Sequence, residues 1–201
     1  MIAQLDTTPR SPLLTLTDPT IDRSSEVIKS YGKTSDIPQI EGLMQVFTAS
    51  HRSFFTQVLA QALRSAGQGT SVLVVQLLKG GIRQGKHHPV KLGDSLDWYR
   101  CESLTCIDPY RPETISPEAH QAVQDLWIHT YHLVLSNRYE LVILDELSIA
   151  LNLGLIQEKD AVELFQKRPP HMDLILTGSQ MSPTLLALAD QVTELRKPHR
   201  Y

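Results

Sequence analysis

The run Ser71-Val72-Leu73-Val74-Val75-Gln76-Leu77-Leu78 is apolar and rich in β-branched residues along nearly its whole length, and Lys79-Gly80-Gly81 ends it. Such a segment leaves no face for water, so it suits a strand buried on both sides of a parallel sheet. Parallel neighbours are joined by long crossovers, usually helical, and those helices are what cover the two faces. The rest of the chain has to supply that alternation of strand and helix.

It does so in order. Leu43 to Thr48 reads as a short strand, and Phe55 to Ala66 shows helical spacing before Gly67. Pro117 and Glu118 open a helix to about Leu135, with proline early and acid in the first turn; its apolar face includes Ala122, Leu126, His129 and Leu133. Leu141-Val142-Ile143-Leu144 is a buried strand ending in Asp145-Glu146. Two helical pieces follow, about Leu147 to Leu153 and Glu158 to Lys167, broken at Gly154 and closed by Pro169-Pro170. Asp173 to Thr177 is a strand, Pro183 to Ala189 a helix, and Val192 to Leu195 a last strand. Between Ile82 and Ser116 no period is clean, and Leu96, Trp98 and Leu104 are the candidate anchors of short pieces. The expected fold is α/β, with a doubly wound, mostly parallel sheet.

The pattern places one α/β domain over residues 40–201, preceded by an arm over residues 1–39 rich in Thr, Ser, Pro and Asp, which either stays flexible or packs on a partner subunit. The net charge of −3 and pI near 6.2 offer no global attraction for nucleic acid. No apolar run is long enough to span a bilayer, and the first residues lack a secretory layout, so a cytoplasmic protein is expected. Cys101 and Cys106 fit a reducing compartment better than a disulfide framework, and their spacing to His87 and His88 matches no familiar zinc pattern.

Right-handed crossovers put the polar strand ends Thr48, Lys79, Asp145 and Thr177 along one edge, where ligands of open α/β sheets bind. Asp145-Glu146, just after four apolar residues, has the layout by which nucleotide-binding sheets hold Mg²⁺ through a carboxylate; solvated acids at a strand end are the alternative. Thr48-Ala49-Ser50-His51-Arg52-Ser53-Phe54-Phe55-Thr56 lies between the first strand and the first helix, where a phosphate loop belongs.

Several of these segments together resemble the corrinoid adenosyltransferases. Gly42 to Thr48 is similar to the strand entering that family's phosphate loop, Ala62-Leu63-Arg64-Ser65-Ala66-Gly67-Gln68-Gly69 to the helix end that follows, and Val74 to Gly80 to the second strand. Leu141 to Leu147, Gly154 to Pro169, Leu176-Thr177-Gly178 and Ala189 to Arg196 extend the likeness over most of the chain from Gly42 onward. The resemblance implies a P-loop NTPase fold of RecA-like architecture, usually a homodimer. It also implies an activity, transfer of the 5′-deoxyadenosyl group of Mg·ATP to a reduced cobalt corrinoid.

By the same resemblance Thr48, Ser50, His51, Arg52, Ser53 and Thr56 occupy the nucleotide loop, Asp145 and Glu146 the metal position, and Trp98 a place where it stacks on a flat ligand or anchors a loop. The loop departs from the family pattern, which is glycine-rich and ends in Gly-Lys-Thr-Thr. Phe54 stands in place of the lysine, Phe55 in place of the metal-binding hydroxyl, and Ala49, His51 and Ser53 in place of glycines. Phe54 and Phe55 are expected to be core residues filling the vacated phosphate site. The resulting expectation is a non-catalytic binding or regulatory protein with a small-molecule or protein partner. An active adenosyltransferase with a rebuilt site and a corrinoid or nucleotide carrier are the alternatives. The basic end, Arg196-Lys197-Pro198-His199-Arg200, reads as a solvated terminus.

Overall fold

The structure, a computed structural model, describes residues 41–196; the arm expected over residues 1–39 and the basic end beyond Arg196 lie outside them. Strand β1 (Met44–Ala49) leads through a loop into helix α1 (Thr56–Gly67), and β2 (Val72–Gln76) follows with every residue buried. Two further strands come next, β3 (Val90–Leu92) and β4 (Leu96–Arg100). Helix α2 (Pro117–Leu135) starts at Ser116, whose hydroxyl accepts the Ala119 N–H, a cap that satisfies one of the free donors of the first turn. The remaining elements are β5 (Leu141–Asp145), α3 (Leu147–Asn152), α4 (Glu158–Lys167), β6 (Asp173–Ser179), α5 (Pro183–Leu188) and β7 (Gln191–Leu195).

The seven strands form one sheet in the order β3-β4-β2-β5-β6-β1-β7. All neighbours run parallel except β3, which pairs antiparallel with β4. One buried cluster joins Leu73, Val75, Val142 and Leu144 to α2, α3 and α4; the opposite face packs Val72, Val74 and Ile143 against Val58 and Ala62 of α1. Alternate residues of β2 and β5 therefore face different cores, which is why neither strand has room for a polar face. Among the described residues no helix is long and apolar enough to cross a membrane.

The stretch without a clean period holds two strands. β4 lies inside the sheet beside β2, so Trp98 belongs to a strand and not to a loop. Of the three candidate anchors, Leu96 is buried, Trp98 half-buried, and Leu104 stands 95% exposed and anchors nothing. Asp97 is a buried acid within β4; it accepts a 2.6 Å hydrogen bond from the Tyr139 hydroxyl and has Lys91 and Arg138 each at 3.6 Å. Burial, then the hydrogen bond to Asp97, pushes the Tyr139 phenol far above its ordinary pKa. On α2, His129 packs edge-on against Tyr99 with ring centroids 5.1 Å apart. Its Nε2 is buried without a partner, and burial lowers its pKa toward the neutral imidazole.

Candidate functional site

Parallel pairing brings the carboxyl ends of β1, β2, β4, β5 and β6 to one edge, and a polar network crosses it from strand to strand. Its centre is Asp145, the last residue of β5. Asp145 Oδ2 accepts from Gln76 Nε2 at 2.8 Å, and Oδ1 accepts from the Thr177 hydroxyl at 2.7 Å. Gln76 Oε1 in turn accepts from Trp98 Nε1 at 3.1 Å and Arg100 Nε at 2.9 Å. The Thr177 oxygen accepts the Glu146 N–H at 2.9 Å, which fixes the backbone where the chain leaves β5.

Glu146 sits there with φ +63°, a left-handed conformation that few non-glycine residues hold without support. Its carboxylate is only 2% exposed. The Arg52 guanidinium grips it with both arms, Nε to Oε1 at 2.5 Å and Nη2 to Oε2 at 2.9 Å, while Nη1 donates to the Ile107 carbonyl at 3.3 Å. Lys79 Nζ lies 3.1 Å from Oε2. Two cations thus converge on one buried carboxylate, the arrangement by which a charge this deep is retained. Burial works against the Arg52 charge, and the hydrogen bonds and charge of Glu146 outweigh it, holding the guanidinium pKa above its ordinary value.

The loop from Ser50 to Phe55 carries Arg52 to this position. None of its residues has a positive φ, and none is glycine. The two phenylalanines part company. Phe55 is buried and packs edge-on against Phe47 with centroids 6.2 Å apart, as a core residue should. Phe54 is 67% exposed, a correction to the expectation that both fill the core; the Lys79 ammonium lies 4.1 Å from its ring centroid, so the ring covers a cation rather than a cavity.

The other candidate residues divide. Ser50 and His51 contact one another at 3.1 Å and, with Arg52, Tyr110, Asn152 and Gln180, line a cleft of about 370 Å³. Ser53 donates back to the His51 carbonyl at 3.3 Å, Thr48 lies at the end of β1 between β6 and β7, and Thr56 is the exposed first residue of α1. Trp98 stands beyond β2 and reaches Asp145 through Gln76 alone. The sequence reading overlooked Gln76 as a site residue, although its signal was present: a polar residue within an otherwise apolar, fully buried strand has to satisfy its amide on a neighbouring strand.

Burial pushes the Asp145 carboxyl above its ordinary value of 3.8, against the lowering pull of the hydrogen bonds from Thr177 and Gln76. A carboxyl whose folded pKa is raised binds its proton more tightly in the native state. Its stabilising contribution is complete below the unfolded value and disappears as pH rises through the folded one. Urea midpoints measured from about pH 3 to about pH 8 should therefore fall more steeply with rising pH, or rise less, for the wild type than for Asp145→Asn. Parallel curves would mean that the carboxyl titrates normally.

Residues 40–201 match the family model of the ATP:corrinoid adenosyltransferases BtuR/CobO/CobP. The chain belongs to this family. Among curated members it is 27% identical to the corrinoid adenosyltransferase of Escherichia coli (strain K12) over 156 residues, 77% of this chain and 76% of that protein. It is 28% identical to corrinoid adenosyltransferase CobA of Salmonella typhimurium over 156 residues, with the same coverage of both. The Sinorhizobium corrinoid adenosyltransferase is 28% identical over 159 residues, 77% of this chain and 72% of its own. For a corrinoid adenosyltransferase family member, the mostly parallel sheet and the strand-end location of the polar network are the expected P-loop NTPase-like frame.

Proposed function

We propose that this chain is a non-catalytic member of its family, a binding or regulatory protein whose ancestral nucleotide site is closed by its own side chains. The observation that carries this reading is the commitment of Arg52, the cation of the loop itself, and of Lys79 to Glu146. A triphosphate needs free positive charge and a ring of backbone N–H groups curled around it. Here the loop has no glycine and no left-handed residue with which to curl, and an exposed phenylalanine occupies the lysine position. The metal position fits no better: Glu146 is occupied by two cations, and both Asp145 oxygens already accept hydrogen bonds. The residues present do not fit Mg·ATP in the manner the family name implies. A cytoplasmic homodimer without nucleic-acid or membrane partners completes this reading.

A second reading, an active adenosyltransferase with a rebuilt site, is favoured by the retained acids at the end of β5 and by Arg52 as an alternative cation. A corrinoid or nucleotide carrier would use the same edge without chemistry. Calorimetric titration of the protein with Mg·ATP, beside Arg52→Ala and followed by adenosylation of cob(I)alamin on the same preparation, separates them. The expected result is no saturable heat and no adenosylated product. Saturable binding that depends on Arg52, with product formed, would replace the first reading by the second; binding of ATP or cob(I)alamin without product would make the chain a carrier.

A further inference from the structure

Lys86, Arg100 and Glu102 on one wall, and Glu118, Gln121 and Asp125 of α2 on the other, line a cleft of about 450 Å³. Five of these six are charged, and among the described residues none of the five forms an ion pair. The signs are unevenly placed. Both cations stand on the wall built by the loop after β2 and the end of β4, whereas α2 carries no lysine or arginine from Pro117 to Leu135, so its wall offers carboxylates alone. Hydrogen bonding from Ser116, then from its own backbone N–H, lowers the Glu118 pKa and keeps that carboxylate charged. Asp125 Oδ1 accepts from Gln121 Nε2 at 2.9 Å, and its other oxygen is uncommitted among the described residues. Glu102 packs against Gly85, where a Cβ would meet its side chain.

Arg100 joins this cleft to the strand-end network. Its Nε donates to Gln76 Oε1, the oxygen that also accepts the Trp98 indole N–H, and the Gln76 amide in turn holds Asp145. The two terminal nitrogens of Arg100 make no hydrogen bond among the described residues. A guanidinium whose Nε is fixed and whose outer edge lines a cleft is arranged to receive a carboxylate with both arms. On the helix wall Ala122 and Leu126 add apolar surface between the charges. A cleft of this size with a few separated charged groups and an apolar strip suits a small molecule rather than a chain.

We propose that this cleft binds a small diamino carboxylate, a basic amino acid. Its carboxylate meets Arg100 and Lys86, its two ammonium groups meet the carboxylates of α2 and of Glu102, and its methylene chain lies along Ala122 and Leu126. Two cations against three carboxylates leave the cleft with one negative charge, which a ligand of one carboxylate and two ammonium groups cancels. Because Arg100 and Trp98 donate to the same Gln76 oxygen, occupancy of the cleft is felt at the strand-end edge. The inference goes beyond the reading of a closed nucleotide site and stands whether or not that site takes ATP.

The chain has two tryptophans, so a nitrogen–proton correlation spectrum carries two indole N–H signals, and Trp127→Phe assigns the one from Trp98. Titration of the full chain with L-lysine is expected to shift the Trp98 signal saturably. Cadaverine lacks the carboxylate, L-norleucine the ε-ammonium and Nα-acetyl-L-lysine the α-ammonium, and each should need at least about tenfold more ligand for half-saturation. Arg100→Gln and Asp125→Asn should each weaken lysine about tenfold, while Arg64→Gln on α1 leaves it unchanged. The dispersion of the remaining amide signals confirms that the variants are folded. No saturable shift, binding of cadaverine or norleucine as tight as that of lysine, or indifference to both Arg100→Gln and Asp125→Asn would overturn the proposal. Nα-acetyl-L-lysine binding as tightly as lysine would assign the cleft to the carboxyl end of a peptide and overturn it equally. The closed-site reading fails by a different measurement, heat with Mg·ATP, so the two failures are distinguishable.

Discussion

Replacing Glu146 with alanine is expected to lower the unfolding free energy by about 3 kcal/mol, because the substitution leaves the largely buried charges of Arg52 and Lys79 facing one another without a counterion. The Arg52 and Lys79 side chains are 16% and 14% exposed, so a little water reaches both and the loss stays near the lower end for a broken buried pair. Urea unfolding followed by circular dichroism measures it. Glu146→Gln isolates the charge, since it keeps the size and shape of the side chain, and most of the loss should persist in it. Removing Arg52 in the Glu146→Ala background should then recover part of the stability, as the stranded cation goes with it. A loss below about 1 kcal/mol would place the cluster among ordinary solvent-screened pairs and remove the ground for calling the site closed.

Thr177→Val carries the second large effect, about 2 kcal/mol, although the exchange hardly alters volume. The hydroxyl donates to Asp145 Oδ1 and accepts the Glu146 N–H, so valine strands two buried polar groups at once. Thr177→Ser restores both bonds and sacrifices only a methyl group, which makes it the control. Equal losses for valine and serine would show that packing, not the hydrogen-bond network, holds this strand end.

Most of the frame was legible because it is written locally. Helix α2 begins and ends where its proline, its first-turn acid and its apolar spacing put it, and β2 and β5 are continuous apolar runs that admit no other use. Strand β4 was not legible. Leu96-Asp97-Trp98-Tyr99-Arg100 carries a buried acid whose partners, Tyr139, Lys91 and Arg138, are recruited from β3 and from the turn before β5, so its polarity disguises an interior strand. The site was half visible. Arg52, Asp145 and Glu146 stood out individually as candidate site residues, but the grip of Arg52 on Glu146 joins positions 94 apart and depends on which strands the sheet places side by side. Phe54 departs from its expectation for a related reason: a large aromatic is normally sheltered by packing, and this one instead lies against a lysine that itself answers to a carboxylate just past the end of β5.

The sheet also has a strong middle and weak edges. Strand β2 is flanked on both sides and buries all five of its residues, whereas β7 stands last in the order, pairs with β1 alone and buries none. A strand held by its backbone ladder without side-chain burial opens at far lower cost than one clamped between two layers. Local opening should therefore travel inward from the β7 edge and from the exposed β3 edge, and the Asp145 network, standing at the end of β5 beside β2, belongs to the part that gives way last.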